Sequence, residues 1–211
     1  MSISLSIIIL TCLVTITAFR SEDQKTKLSM WPYGVKHYKQ LYRLLTSGLV
    51  HADYPHLIFN MLSLYFFSVV EDMYVVTFGS KYYFLLMYVL ALVVSDIPSL
   101  IKHRDHEYYY SLGASGAVSA VIFSGVLFQP WAVIYFYFIK MPAIVYGVIF
   151  LLLSIYLDRR GQGNVAHDAH YWGACFGLLF PVLLDPSIGY AFINTLQHGF
   201  PGLKYYYGGG R

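Results

Sequence analysis

Ser111–Leu112–Gly113–Ala114–Ser115–Gly116–Ala117 lies between a charged loop and the apolar run Val118–Phe128. Small residues on both sides leave the Ser115 hydroxyl accessible at the mouth of a helix. A hydroxyl so placed, inside a segment destined for lipid, suggests chemistry where the bilayer normally excludes it. Ser115 is the candidate nucleophile. The rest of the chain is read for a proton acceptor, for donors to an oxyanion and for a route for water.

Working outward, the 211 residues are 57% hydrophobic and only 12% charged, against about 25% charged in a soluble domain. With several long apolar runs, this composition puts the chain in the membrane class. The net charge of +3 is small and its basic residues are scattered, which argues against nucleic acid as a partner. Cys12 and Cys175 sit in apolar runs without metal-ligand spacing. They read as small buried hydrophobes, with no disulfide expected.

Six spans are expected: Ser2–Phe19, His56–Val70, Tyr82–Leu100, Ser115–Phe128, Met141–Leu157 and Asp168–Leu184. No basic residue precedes the first and no A-x-A-like site follows it, so a retained span is expected rather than a signal peptide. Ser21–Pro55 is too polar to span and rich in aromatic and basic residues, as in a segment at the membrane interface. Lys140 would be costly at mid-depth, so Trp131–Lys140 reads as an interfacial connection. Asp158–Asn164 reads as a polar loop and Ser187–Arg211 as a tail with one short surface helix. The fold class is an all-α membrane protein, a six-transmembrane-helix bundle with a long interfacial first loop. Its parts are a first helix (1–19), the loop (20–55), a core of five further helices (56–186) and a polar, aromatic tail (187–211).

Alternate spans run in the same direction. Ser115 lies 14 positions before Gln129, His170 lies 15 before Asp185 and His56 lies 15 before Glu71. If those polar residues mark one face, all three groups lie about 21–23 Å from it. That is roughly 8 Å below the other face of a hydrocarbon core about 30 Å thick. His170, Gly173 and Gly177 share one helix face. Gly173-x-x-x-Gly177 permits close approach of a second helix, and Gly116, Ser119 and Ala120 offer a matching small-residue surface.

Serine needs a base within hydrogen-bond reach, and an imidazole can take its proton and return it to a leaving amine. His170 fits, giving a Ser115–His170 dyad. Asp168 reads as the N-cap of the sixth span. His56 and Asn60, i and i+4 on the second span, are candidate oxyanion donors with the Ser115 backbone N–H. Gly113 and Gly116 leave room for a substrate carbonyl. His167 either lines the same cavity or is an exposed loop residue. His51 either ties the first loop to the site or caps the second span. Arg43 anchors the loop through carbonyls or headgroups, or snorkels.

His56-x-x-x-Asn60, Gly113–Ala114–Ser115–Gly116 and His170-x-x-Gly173-x-x-x-Gly177, occurring in the family's order, resemble the rhomboid family of intramembrane serine proteases from about Gln40 to Leu184. The resemblance implies a six-helix core whose water-filled site opens to the extracytoplasmic side. It implies Ser115 as nucleophile, His170 as base, and His56 and Asn60 at the oxyanion hole. Substrates would be transmembrane helices entering from the bilayer and cut at small, helix-destabilising stretches. No cofactor or metal is implied. Tyr42–Arg43 stands where the family often has Trp-Arg, and Ser119 stands where an aromatic often packs on the catalytic histidine. A hydroxyl at 119 is expected to hydrogen-bond the His170 ring instead. On the family topology most basic residues fall outside, the reverse of the positive-inside pattern.

A plasma (bacterial inner) membrane is the expected location. Two other readings are a non-catalytic relative that binds membrane-protein clients, and a metal-dependent hydrolase built on His51, His56, His167, Asp168 and His170. The second lacks an H-E-x-x-H motif.

Overall fold

A computed structural model describes residues 2–136, 139–160 and 167–202. Of the loop expected over Asp158–Asn164, residues 158–160 continue the preceding helix, while 161–164, the His167 and Asp168 side chains and the tail from 203 lie outside the described residues.

Helix α1 spans Ile3–Ala18, with the Ser2 hydroxyl accepting from Leu5 N. Its burial is inverted relative to a soluble helix. Ser4, Thr11, Thr15 and Ala18 face inward, while Leu5, Ile9, Leu10, Leu13 and Ile16 are exposed. Lipid accepts leucine and isoleucine as readily as a core does, so small and hydroxylated residues are the ones that pack between helices.

The expected second span is two helices, α5 (Tyr54–Phe66) and α6 (Val69–Phe78), bent by 42°. Glu71 therefore does not end a span, and its use as a surface marker is corrected. It is buried, and its carboxylate accepts from Ile3 N at 2.8 Å, Ser4 N at 2.9 Å and Ser4 Oγ at 3.0 Å. An anion on the orphan N–H groups of a helix start satisfies both donors and dipole. The start of α1 is thereby fixed to α6, and α1 runs antiparallel to α5.

Between them the first loop folds into α2 (Glu22–Leu28), α3 (Pro32–Tyr38), α4 (Arg43–Thr46) and a 3₁₀ turn, Ser47–Leu49. Ser21 caps α2, and proline opens α3, where a missing N–H costs nothing. Helix α7 covers Tyr82–His103 with Pro98 inside it. Helix α8, Ser115–Phe128, matches the expected fourth span and is buried on nearly every side. Helices α5, α6, α7, α9 (Ala143–Arg160), α10 (His167–Leu184) and α11 (Ser187–His198) all pack against it.

The interfacial connection at Trp131–Lys140 is part of an antiparallel hairpin, β1 (Val133–Phe136) with β2 (Ile139–Pro142), so the fold is mostly helical rather than all-α. Val-Ile-Tyr-Phe is β-branched and aromatic, the composition that favours strands. Lys140 is accommodated over the Tyr135 ring at 5.5 Å. The fifth helix accordingly starts at Ala143, not Met141. Helix α10 begins at His167, which puts Asp168 in its first turn and not at the cap. After Asp185–Pro186 the chain turns by 119° into α11, the expected tail helix.

By length and composition, α7 alone among the described helices can cross a membrane. The count rises to three if α5–α6 and α10–α11 each form one bent span. Length and composition among the described helices thus account for one to three of the six expected spans. Helix α8, with 14 residues, is only about 21 Å long. It is a central helix wrapped by others, which need not match the bilayer thickness alone.

Candidate active site

Helices α8 and α10 meet backbone to backbone. A Cβ on Gly173 would lie 2.0 Å from Gly116 O, and one on Gly177 would lie 2.2 Å from Ala120 O. Any side chain at either position would force the helices apart. Their contact brings His170, one turn before Gly173, onto Ser115 at the first turn of α8. His170 Nε2 and Ser115 Oγ are hydrogen-bonded, and both residues are buried. The first intrahelical bond of α8 runs from Val118 N to Ala114 O at 2.9 Å. The Ser115 N–H therefore lies in the open first turn.

Ser119 is fully buried, but its hydroxyl donates to Ser115 O at 2.7 Å rather than to the His170 ring, a correction to the expectation. The geometry follows from the helix: a serine hydroxyl reaches the carbonyl four residues back.

Asp53 caps α5 by accepting from His56 N at 2.8 Å. His56 reaches the Ser115 segment through Gly113, whose φ is +120°. A Cβ there would be 2.7 Å from His56 Cε1 and 2.9 Å from Nε2. Gly113 thus provides both a backbone conformation that L residues avoid and the space the imidazole fills. Gly116 has a different neighbour from the one expected. Its Cβ would fall 2.2 Å from Ser95 Oγ on α7, so it serves helix packing rather than access for a carbonyl. Asn60 donates an amide N–H to His56 O at 3.0 Å. Its buried carbonyl oxygen has no partner among the described residues.

His51 is not the α5 cap. Its Nε2 accepts from Ala114 N at 3.3 Å, and its Nδ1 is 3.2 Å from Thr15 Oγ1. It therefore ties the first loop and α1 to the Ser115 segment, one of the two roles left open by the sequence. Arg43 anchors carbonyls and does not snorkel. It is buried, donates to Thr26 O at 2.8 Å, Ser29 O at 2.7 Å and Gln40 Oε1 at 2.6 Å, and lies 5.4 Å over the Trp31 ring.

The first loop is bound to the segment before Ser115 rather than lying apart. Met30 and Ser111 exchange backbone bonds of 2.8 and 3.1 Å, and Trp31 Nε1 donates to Glu107 O at 2.8 Å. Asp105, hydrogen-bonded by Lys36 and also facing His37, is held below the usual carboxylate range. Sequence reading missed Ser47, whose carbonyl accepts Gly113 N at 2.9 Å and whose hydroxyl donates to Asp96 Oδ2 at 3.1 Å. It also missed Thr15, for which a hydroxyl inside an apolar run was the only signal. The open pocket of about 380 Å³ lined by Phe128, Trp131, Thr195 and Pro201 lies at the far end of α8 from Ser115.

A serine and a histidine are joined inside a packed set of apolar helices, one of them long enough to cross a bilayer, which fits a membrane protein with a polar centre. A Rhomboid domain model matches residues 38–186, most of the chain and nearly the extent of the resemblance noted above. The chain belongs to the rhomboid family. A relative, RHOMBOID-like protein 12, mitochondrial, of Arabidopsis thaliana, is 30% identical over 153 residues, covering 64% of this chain. The match spans 44% of that relative's length. That relative is named as mitochondrial, so the expected bacterial plasma membrane draws no support from it.

Proposed function

We propose that the protein is an intramembrane serine endopeptidase that cuts transmembrane protein substrates in or near their spans. The hydrogen bond between Ser115 Oγ and His170 Nε2 carries this reading. Ser115 Oγ attacks the scissile carbonyl carbon as its proton passes to His170 Nε2. The oxyanion is held by the Ser115 N–H, with His56 and Asn60 supplying side-chain donors. Collapse breaks the C–N bond, and His170 returns the proton to the leaving amine. Water then adds to the acyl-enzyme ester with His170 again taking the proton, releasing the acid and regenerating Ser115.

In this reading α1, α5–α6, α7, α8, α9 and α10 form the six-helix bundle, with the first loop covering the site from the extracytoplasmic side. The α8 start then lies below the membrane surface in a water-accessible pocket. A substrate helix enters from the bilayer and unwinds at small residues to present its carbonyl.

The test is cleavage of a single-span reporter with small residues at its centre, in lipid nanodiscs. Ser115→Ala is expected to abolish cleavage while the unfolding midpoint stays put, and a fluorophosphonate should label wild type but not the variant. Undiminished cleavage by Ser115→Ala sinks the proposal. Absence of both labelling and cleavage in wild type favours the non-catalytic, client-binding reading.

A further inference from the structure

The hydrogen bonds around His51 fix its tautomer. Ala114 N–H donates to Nε2 at 3.3 Å, so that nitrogen carries a lone pair. A neutral imidazole with a bare Nε2 has its hydrogen on Nδ1. Nδ1 lies 3.2 Å from Thr15 Oγ1 and therefore donates to it. The single Thr15 hydroxyl hydrogen is used elsewhere, on Leu49 O at 2.9 Å. Each donor has one acceptor, and Thr15 and His51 are both 0% exposed. Burial, with a smaller contribution from neighbouring His56, pushes the His51 pKa down to about 3. The ring stays neutral near pH 7.

We infer that Thr15, His51 and the Ala114 amide form a strut through which the first helix positions Ser115. Thr15 selects the Nδ1–H tautomer, and that tautomer presents an acceptor to the amide one residue before Ser115. The other tautomer would point Nε2–H at Ala114 N–H, donor against donor, and push the segment away. The adjacent Gly113 amide is already held by Ser47 O at 2.9 Å. Two consecutive amides are thus fixed from the loop side, and the next one, on Ser115, remains in the open turn where an oxyanion donor is required. Thr15 and His51 are positioning residues; neither touches the reacting atoms. The purpose of the strut rests on the proteolytic reading above, whereas its hydrogen-bond pattern does not.

The experiment uses the full chain in nanodiscs with ¹⁵N-labelled histidine. The His51 ring nitrogens, assigned by correlation to its backbone amide, should show protonated Nδ1 and bare Nε2 in wild type. Thr15→Val keeps the shape and removes the hydroxyl. It should mix the tautomers and lower kcat on the reporter, with fluorophosphonate labelling of Ser115 slowed in parallel. A displacement of this kind lowers the rate by about 10- to 100-fold, with KM unchanged. Thr15→Ser should restore both the spectrum and the rate.

An Nε2–H tautomer in wild type overturns the strut without need of any variant. So does a Thr15→Val protein that labels and cleaves at the wild-type rate, or a Thr15→Ser protein as impaired as Thr15→Val. A wild type with the expected tautomer that neither cleaves nor labels overturns the proteolytic reading, and with it the catalytic purpose of the strut.

Discussion

On the α10 side of α8, glycines sit against backbone carbonyls, and close approach lets the buried Ser124 hydroxyl donate to Gly177 O at 2.8 Å. On the opposite side the Ser115 segment is held by hydrogen bonds from a loop: Ser47 O, His51 Nε2 and the Met30 backbone. The first contact is set by volume and has no slack. The second is set by donor–acceptor matching, and its outer part reaches solvent. The catalytic pair proposed here lies where the two meet, so His170 depends on the seam and Ser115 on both. Damage to the seam should therefore be severe and unspecific, while damage to the loop side should be graded from its buried part outward.

The largest expected effect is at the seam. Gly173→Val drives its side chain into the Gly116 carbonyl, and overpacking of this kind costs about 3 kcal/mol or more. Chemical unfolding should show the loss, together with disappearance of Ser115 labelling. Gly189→Ala, whose Cβ would make ordinary contacts at 3.5 Å with Val182, should be tolerated. Equal sensitivity of both positions would break the contrast between a tight seam and the surrounding packing.

Next comes the buried part of the loop side. Arg43→Ala removes donors from two carbonyls and Gln40, and a charged hydrogen bond is worth about 1.5–3 kcal/mol. Arg43→Lys should recover only part, because an ammonium cannot reproduce the guanidinium fork. Unfolding midpoints of the three proteins check the order.

The smallest structural effect lies at the exposed latch. The Asp105 carboxyl is held below its ordinary range first by its hydrogen bond to Lys36. A folded value below the unfolded one means the contribution is complete above about pH 4 and is lost as pH falls through the depressed value. Asp105→Asn should leave the unfolding midpoint unchanged near neutrality, since exposed pairs are screened. Hydrogen-exchange protection at 104–109, after correction for the intrinsic pH dependence of amide exchange, should fall in acid for wild type and stay the same for the variant. Chelation is expected to do nothing: activity unchanged by EDTA separates the serine chemistry from the metal-dependent alternative, and lost activity restored by added zinc would reverse that choice.

The contrast also explains what was readable in advance. The seam is written locally: His170, Gly173 and Gly177 lie on one helix face, and small residues on α8 match them. That pattern predicted the Ser115–His170 meeting. The depth count reached the same result with a wrong marker, because Glu71 was taken for a surface residue and is the buried cap of α1. The loop side was far less legible. His51 could be read two ways, Thr15 and Ser47 drew no attention, and Gly116 was assigned to access when its neighbour is Ser95.

The sequence by itself determined the membrane class, most helix positions, the pairing of a serine with a histidine and the glycine face that joins them. All of these are carried by composition or by short-range periodicity. The tertiary structure alone decided that Glu71 caps α1, that Val133–Phe136 pairs with Ile139–Pro142 and that Thr15 reaches Ala114 through His51. Those outcomes depend on which donor meets which acceptor after the faces have packed. A buried hydroxyl, carboxylate or imidazole must be satisfied by whatever the fold brings near, and residue order does not encode that partner.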